Sequence, residues 1–363
     1  MSGKGAVPRV SVVIPSWNGQ ELLPLVLDSL RLQTFRSFEV VVVDNGSEDG
    51  SVALLERVYP EVRVITLGEN RGFSAAVNVG IRGTCGEYVA LVNNDVELEP
   101  GWLQAMVAAL DRTPEAGFAA SRILRYSDDR FIDSAGDVVG VHPRGRGQGE
   151  LNGPGFDEPA WVASACAAAA LYRRSMLEEV GPFNEDFFAY FEDVELGLRA
   201  QIAGYRCLYV PDAVARHVGS ATSELISDFK AYHCLRNIFL LYFTTFPRRY
   251  MLRYLPRFLL GRLAFAVSEA GPRVALRAAV AVGRRIPGMI RRRRAIFALR
   301  RVPDEELERI LERPGRLTWA VVRERVRRAI GRWRAAVRRR SDADPGVAGG
   351  AGAARQSASG ALT

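Results

Sequence analysis

No apolar run in this 363-residue chain reaches the roughly 20 residues that a bilayer-spanning helix needs. The start, Met1 to Arg9, is short and polar, so the apolar core of a signal peptide is missing as well. Cysteine is scarce: Cys85, Cys166, Cys207 and Cys234 are widely spaced and none forms C-x-x-C. Neither a disulfide framework nor a zinc site is expected, which suits a reducing compartment. G-x-G-x-x-G does not follow the first strand pattern, and G-x-x-x-x-G-K-[ST] does not occur. The common dinucleotide fingerprint and the P-loop therefore have no support.

With 48% hydrophobic and 25% charged residues, the composition is that of a globular protein. The length suits one large α/β domain with an appendage, or two domains. The net charge of +8 hides a division. Residues 1–219 carry 19 basic and 30 acidic side chains, and residues 220–363 carry 30 basic and 11 acidic ones. An acidic first part and an arginine-rich second part imply two jobs, the basic one facing an anionic surface.

Strand and helix patterns alternate through the first ~120 residues. Strands are expected at 10–14, 38–43, 62–66 and 88–92, and helices at 21–32, 51–58, 73–82 and 101–111. Near-continuous apolar strands separated by helices indicate a parallel sheet covered on both faces. Residues 125–160, rich in Gly, Pro, Asp and Arg, read as an irregular excursion or a flexible loop over a site. Trp161 to Tyr172 reads as a buried strand, and 174–180 as a helix stopped by Gly181-Pro182. After Ser223 the pattern is helical and amphipathic, and from Ser341 the Gly/Ala/Ser-rich tail reads as disordered.

Four successive strand ends carry polar residues: Pro15-Ser16-Trp17-Asn18-Gly19, Asp44-Asn45-Gly46, Asn70-Arg71-Gly72 and Asn93-Asn94-Asp95. In open α/β sheets ligands bind at that edge. Each segment also has a plainer reading. Asp44-Asn-Gly makes a turn, Pro15 and Gly19 shape a loop, Asn70 and Gly72 cap a helix, and Arg71 is a solvated charge. Four independent caps have no reason to share an edge, which favours a crevice in which Asp95 holds a divalent cation. Glu192-Asp193 follow large aromatics at a helix start. Asp193 serves there either as a dipole-stabilised first-turn acid or as a general base desolvated by Phe187, Phe188 and Phe191. His217, one of three histidines, is either structural or the partner of Asp95 in a site suited to Mn²⁺.

Together these residues closely resemble the family 2 inverting glycosyltransferases with the GT-A fold, in particular the bacterial rhamnosyltransferase-like branch. The resemblance covers roughly residues 8–245. It rests on Val-Val-Ile-Pro-Ser-Trp-Asn18, Val-Val-Asp44-Asn-Gly-Ser, Asn70-Arg-Gly-Phe-Ser-Ala-Ala-Val-Asn78-Val-Gly80 and Asn93-Asn-Asp95. It rests further on Gly181-Pro-Phe-Asn-Glu-Asp-Phe-Phe-Ala-Tyr-Phe-Glu-Asp193-Val-Glu-Leu-Gly-Leu-Arg199, Gly204-Tyr-Arg and His217. It implies a Rossmann-like, mainly parallel α/β sheet with helices on both faces (residues 1–222), followed by a basic helical region (223–340) and a tail (341–363). It also implies a nucleoside-diphosphate sugar donor contacted by Pro15, Ser16, Asn18, Asp44, Asn70, Arg71, Asn93, Asn94 and Asp95. Asp95 and His217 match metal positions for Mn²⁺ or Mg²⁺, and Asp193 matches the catalytic base. Trp161 is expected to stack on an acceptor sugar, or else to be a core or hinge aromatic; Glu192 is expected to orient donor hydroxyls. The chain departs from the family pattern at Asn93, where many members have the first Asp of D-x-D, and at Pro182 and Asn184. The absence of a Q-x-x-R-W box argues for addition of one or a few sugars rather than a long homopolymer.

The expected acceptor is a saccharide, in particular a lipid-linked one, in cell-envelope polysaccharide synthesis. For the arginine-rich helices the leading expectation is a peripheral position on the anionic inner face of the cytoplasmic membrane. The alternatives are packing on the catalytic part and, least favoured, nucleic-acid binding, for which no recognised module is present. A non-catalytic nucleotide-sugar-binding assembly partner is the reading from a different class; the presence of both Asp95 and Asp193 argues against it.

Overall fold

A computed structural model describes residues 7–219 and 227–314. The first half alternates as expected: β1 (Val10–Ser16), α1 (Leu23–Arg31), β2 (Phe38–Asp44), α2 (Ser51–Val58), β3 (Arg63–Thr66), α3 (Phe73–Arg82) and β4 (Tyr88–Val92). A short β5 (Val96–Leu98) and α4 (Trp102–Arg112) follow. The β-branched run of β2 leaves Val41 to Val43 with no exposure, which is what a strand covered on both faces requires. Pro24 sits in the first turn of α1, where its missing N–H costs nothing, and Leu23, Val26, Leu27 and Leu30 form the buried stripe.

The next segment departs from expectation. It forms β6 (Ala116–Arg125), β7 (Asp128–Ser134), β8 (Asp137–Val138), β9 (Arg144–Gly145), β10 (Ala160–Val162) and β11 (Ala169–Arg173). Then come α5 (Arg174–Val180), α6 (Glu192–Ile202) and β12 (Arg206–His217). Residues 125–160 are therefore an ordered antiparallel excursion and not a structureless loop. β7 pairs with β6, β8 with β9, and Asp137 bridges to Ser164. Trp161 to Tyr172 is not one strand. The alanine-rich stretch between β10 and β11 leaves the ladder, although Ala163, Ala165, Ala167 and Ala168 stay buried.

The sheet is mixed, in the order β10-β12-β6-β11-β4-β1-β2-β3, with β5 attached to β12 and β7 to β6. β3, β2, β1 and β4 are mutually parallel, as are β6 and β12, and β11 runs antiparallel between the two groups. The β11 crossover lets β4 and β12 end on the same edge.

Beyond it lie α7 (Ser227–Thr245), α8 (Arg248–Phe265), a π-helical turn at Ala266–Ala270, α9 (Gly271–Ala298) and α10 (Asp304–Ile310). The division expected at 222/223 falls outside the described residues, as do the helical pattern from 315 to 340 and the tail from Ser341. On either side of 220–226 the elements share one core. Phe187, Val194 and Leu198 pack with Leu241, Tyr242, Phe258 and Met289. Arg292 of α9 reaches Glu195 of α6 at 2.9 Å, and Glu195 is wholly buried and also pairs with Arg199. Packing on the catalytic part, one of the alternatives above, is therefore what the inner faces of these helices do. Their outer faces nevertheless keep Leu252, Leu259, Leu263, Leu276, Ile286 and Ile290 between 46% and 67% exposed. Among the described residues no helix is long and apolar enough to cross a membrane.

Candidate active site

Strand register brings the polar ends together. Ser16 is opposite Asp44, and Asp44 is opposite Thr66. Asn94 Nδ2 donates to Ser16 Oγ at 3.1 Å, which ties the end of β4 to the end of β1. Asp44 is buried; its Oδ2 accepts from the Ser47 N–H at 3.2 Å, while its Oδ1 has no partner. An unpaired buried carboxylate oxygen costs free energy unless a ligand donates to it. Asn45 Nδ2 bonds Asn70 Oδ1 at 3.1 Å and the Gly72 carbonyl at 3.2 Å, and its Oδ1 accepts from the Arg71 N–H at 2.9 Å. These bonds shape a cavity of about 400 Å³ lined by Pro15, Ser16, Trp17, Asn45, Asn70, Gly72, Phe73, Asn94, Phe188, Ala189, Tyr190 and Phe229. Gly72 has φ +85°, and a Cβ there would meet the Phe188 ring and carbonyl at 2.7 Å, so only glycine lets this loop close on the aromatic wall.

Asp95 and His217 meet at the same edge because β12 pairs with β5 through His217 and Val96. His217 Nε2 lies 3.4 Å from Asp95 Oδ1, and Nδ1 lies 2.8 Å from Asp133 Oδ2. Burial opposes the imidazolium, but the hydrogen bonds to Asp133 and Asp95 outweigh it and push His217 up to about 10. Among the described residues no group of three or more His, Cys, Asp and Glu has the arrangement of a closed metal cage. One carboxylate and one imidazole, the latter oriented by an outer carboxylate, nevertheless fit a cation whose remaining ligands are substrate phosphates and water. The Asn93 Oδ1 beside them is buried without a partner.

Asp193 sits in the first turn of α6. Its Oδ2 accepts from the Ala167 N–H at 3.1 Å and its Oδ1 from the Val194 N–H at 2.8 Å. The next carbonyl along, that of Ala168, accepts from the Asn93 N–H at 2.9 Å, so the 166–168 turn joins the Asp193 carboxylate to the end of β4. Burial pushes the Asp193 carboxyl above its usual range despite those two N–H donors. Glu192 and Asp137 are pushed well above theirs, by burial first and then by the Asp193 charge. Glu192 Oε2 and Asp137 Oδ2 are both buried without partners. The segment leading into Asp193 is strained: Phe188, Tyr190 and Phe191 have φ of +63°, +73° and +69°. Each such residue costs on the order of 1–3 kcal/mol and persists only where its surroundings hold it.

A profile described as Glycosyl transferase family 2 matches residues 11–181, and one described as Glycosyl transferase family group 2 matches 159–269. An N-acetylglucosaminyl-diphospho-decaprenol L-rhamnosyltransferase of Mycobacterium tuberculosis is 33% identical over 258 residues, which cover 63% of this chain and 83% of that protein. This chain belongs to glycosyltransferase family 2. It lies in the rhamnosyltransferase-like branch, and its fold is GT-A. Two solved structures share that fold. The mannosyltransferase PcManGT from Pyrobaculum calidifontis, in complex with GDP-Man and Mn²⁺, has TM-score 0.52 and 21% identity, covering 81% of this chain and 86% of that one. S. aureus TarS has TM-score 0.53 and 19% identity, covering 90% and 54%.

Within this family 2 glycosyltransferase the expected site residues separate into three groups. Pro15, Ser16, Asn70 and Asn94 line the cavity. Asp44, Asn93, Asp95, Glu192, Asp193 and His217 are buried or part-buried around the strand edge and the start of α6. The others stand apart. Asn18 ties two loops, its Oδ1 accepting from the Glu48 N–H at 2.9 Å, and the Arg71 side chain is exposed. Trp161 pairs in register with Leu208 near the start of β12, whereas His217 ends that strand. It is 39% exposed with the Arg206 guanidinium stacked 3.6 Å from its ring, and it borders a separate cavity of about 440 Å³ formed with α4. It is thus not a core aromatic. Sequence reasoning missed Asp133 and Asp137, which come from the excursion, and Asn45, whose place directly after Asp44 was the available signal.

Proposed function

We propose that this glycosyltransferase moves one or a few sugars, with inversion, from a nucleoside-diphosphate sugar to a hydroxyl of a lipid-linked saccharide during cell-envelope polysaccharide synthesis. Asp193 accepts the proton of the acceptor hydroxyl while that oxygen bonds to the anomeric carbon and the bond from that carbon to the diphosphate breaks. A divalent cation, Mn²⁺ or Mg²⁺, would be held by Asp95 and His217 and would supply positive charge beside the diphosphate. Asp133 keeps the His217 Nε2 turned towards Asp95. Asp44 Oδ1 and Asn93 Oδ1 accept hydrogen bonds from donor hydroxyls or base. Pro15, Ser16, Asn70 and Asn94 wall the donor pocket.

The observation that carries this reading is the linkage of Asp95, His217 and Asp193 around the end of β4. Rhamnose as the sugar, and a prenyl-diphosphate-linked acceptor, are supported by the name of the mycobacterial relative. A position on an anionic membrane face is supported by the exposed leucines and isoleucines of α8 and α9, set among exposed Arg253, Arg277, Arg284 and Arg291.

A donor panel with Mn²⁺ and Mg²⁺ tests the reading, by release of nucleoside diphosphate upon addition of a lipid-linked acceptor. Asp193→Asn is expected to lower kcat by about 10²-fold or more while nucleotide still binds. Asp95→Ala is expected to remove the metal dependence of nucleotide binding. Near-normal turnover by the first variant, or unchanged metal dependence in the second, would overturn the assignment.

A further inference from the structure

The strained segment before Asp193 is held from two sides: the Ser74 N–H of α3 donates to the Phe188 carbonyl at 3.3 Å, and the helical region meets the carbonyls on either side of it. Asn237 of α7 is wholly buried. Its Nδ2 lies 2.8 Å from the Phe187 carbonyl, 2.7 Å from that of Ala189 and 2.9 Å from that of Tyr190. The neighbouring Arg236 donates to the Asp186 carbonyl at 2.7 Å and again to Phe187 at 2.8 Å. Arg236 Nε in turn donates to Asn237 Oδ1 at 2.8 Å, which aims the amide with its N–H groups towards the segment. On the same helix Phe229 meets Phe188 edge-to-face at 5.8 Å and His233 stacks on it at 5.2 Å, and Phe229 completes the wall of the donor cavity.

We propose that Asn237, supported by Arg236, is a positioning residue of the transferase reaction, clamping the Asp186, Phe187, Ala189 and Tyr190 carbonyls so that Asp193 and the aromatic pocket wall stand in working geometry. Carbonyls turned inward by left-handed backbone need donors, because a buried acceptor without one is costly. A side-chain amide offers two N–H groups from a single rigid point; with one of them shared it reaches three carbonyls along this tight reversal, and Arg236 is a further donor to the Phe187 carbonyl. The side-chain donors that meet the Asp186, Phe187, Ala189 and Tyr190 carbonyls all come from α7, so this side of the site is incomplete without that helix. The base assignment of Asp193 underlies the kinetic part of this inference; the structural part stands without it.

The test uses the full-length chain with Asn237→Leu, which keeps the volume and removes the donors, alongside Arg236→Lys and Asp193→Asn. Amide hydrogen exchange is expected to rise about tenfold or more across residues 183–199 in Asn237→Leu while β1 and β2 keep parental protection. Turnover is expected to fall about 10–100-fold, the scale of a base displaced by about 1 Å, while the dissociation constant for nucleoside diphosphate changes no more than about threefold. Parental exchange over 183–199, or kcat within about twofold of the parent, overturns the proposal. A merely structural role would spread the exchange over the whole chain and leave kcat per folded molecule unchanged. If Asn237→Leu lacks a cooperative melt, Arg236→Lys decides by the same two measurements. Full activity of Asp193→Asn removes the base and not the clamp, since exchange at 183–199 is read independently.

Discussion

Asp193, Glu192 and Asp137 are three coupled buried acids that hydrogen bonding and mutual charge keep from behaving alike. Two of them, Glu192 and Asp137, feel the Asp193 charge in addition to desolvation. Asp193 alone has two N–H donors on its carboxylate, so it is the one whose charged form is favoured most. That arrangement suits a base that must ionise beside neutral neighbours. It also has a cost with a definite sign. A carboxyl whose pKa is raised on folding contributes stability below its unfolded value, and loses it as pH rises towards the folded value. Asp137→Asn removes one such group; Asp193, Ser164, Cys166, Cys207 and Tyr172 are polar or titratable groups that face it. The expected outcome is a melting temperature close to the parent at pH 4 and a few degrees above it at pH 8, the gap widening steadily between. A gap that is constant with pH, or a variant less stable than the parent at pH 8, would remove burial as the cause.

At the same scale, the legible residues were those at the ends of strong patterns. Asp44 and Asp95 follow apolar strands, and Asp193 follows a run of aromatics. Asp133 and Asp137 were not legible, because they lie in short strands of mixed polarity where neither the period of two nor that of 3.6 stands out. The surroundings of Trp161 were not legible either, because its stacking on Arg206 joins residues distant in sequence.

Among elements, β1 to β4 and α1 to α4 could be read within a residue or two, since their β-branched runs and helical stripes agree with burial. β6 and β12 could not. β6 is rich in alanine and carries glycine and serine, and β12 contains Pro211 and Asp212 at an irregularity between Val210 and Val214. The helices α8 and α9 are amphipathic twice over. On α9 Val274, Ala278 and Met289 face inward, while Leu276, Val280, Ile286 and Ile290 face solvent beside exposed arginines. Exposed apolar stripes of this length mark a surface meant to be covered; on the membrane reading proposed above, each arginine contributes about 1 kcal/mol near an anionic surface. The full chain is expected to float with vesicles containing anionic lipid and to stay behind with neutral ones. Leu263→Glu combined with Ile290→Glu is expected to lower that binding about tenfold or more, from the lost apolar burial. Equal flotation with both lipid compositions, or no effect of the double substitution, would leave the stripes to a protein partner.

Over the whole molecule, charge and core divide the chain differently. By charge, residues 1–219 are acidic and the rest basic. By packing there is no such break: the cluster around Leu241, Tyr242 and Phe258 takes in Val139, Val141, Phe187 and Val194 from the sheet part. Leu311 bridges to Val139, and Arg144 pairs with Glu312 at 2.8 Å. Glu195 has no exposure and is shared by Arg199 and Arg292, so removal of α9 leaves a buried carboxylate with a single partner. Breaking a buried pair costs about 3–5 kcal/mol, and uncovering the apolar face of α6 adds to it. Set against a total stability of about 5–15 kcal/mol, these losses are too large for the sheet part to stand alone. Residues 1–222, expressed without the helices, are therefore expected to lack a cooperative thermal transition, whereas the full chain melts as one unit with sheet and helices together. A fragment that melts cooperatively within about 5 °C of the parent would show that the shared core is dispensable, since a loss of even 1 kcal/mol moves the midpoint of a domain this size by several degrees.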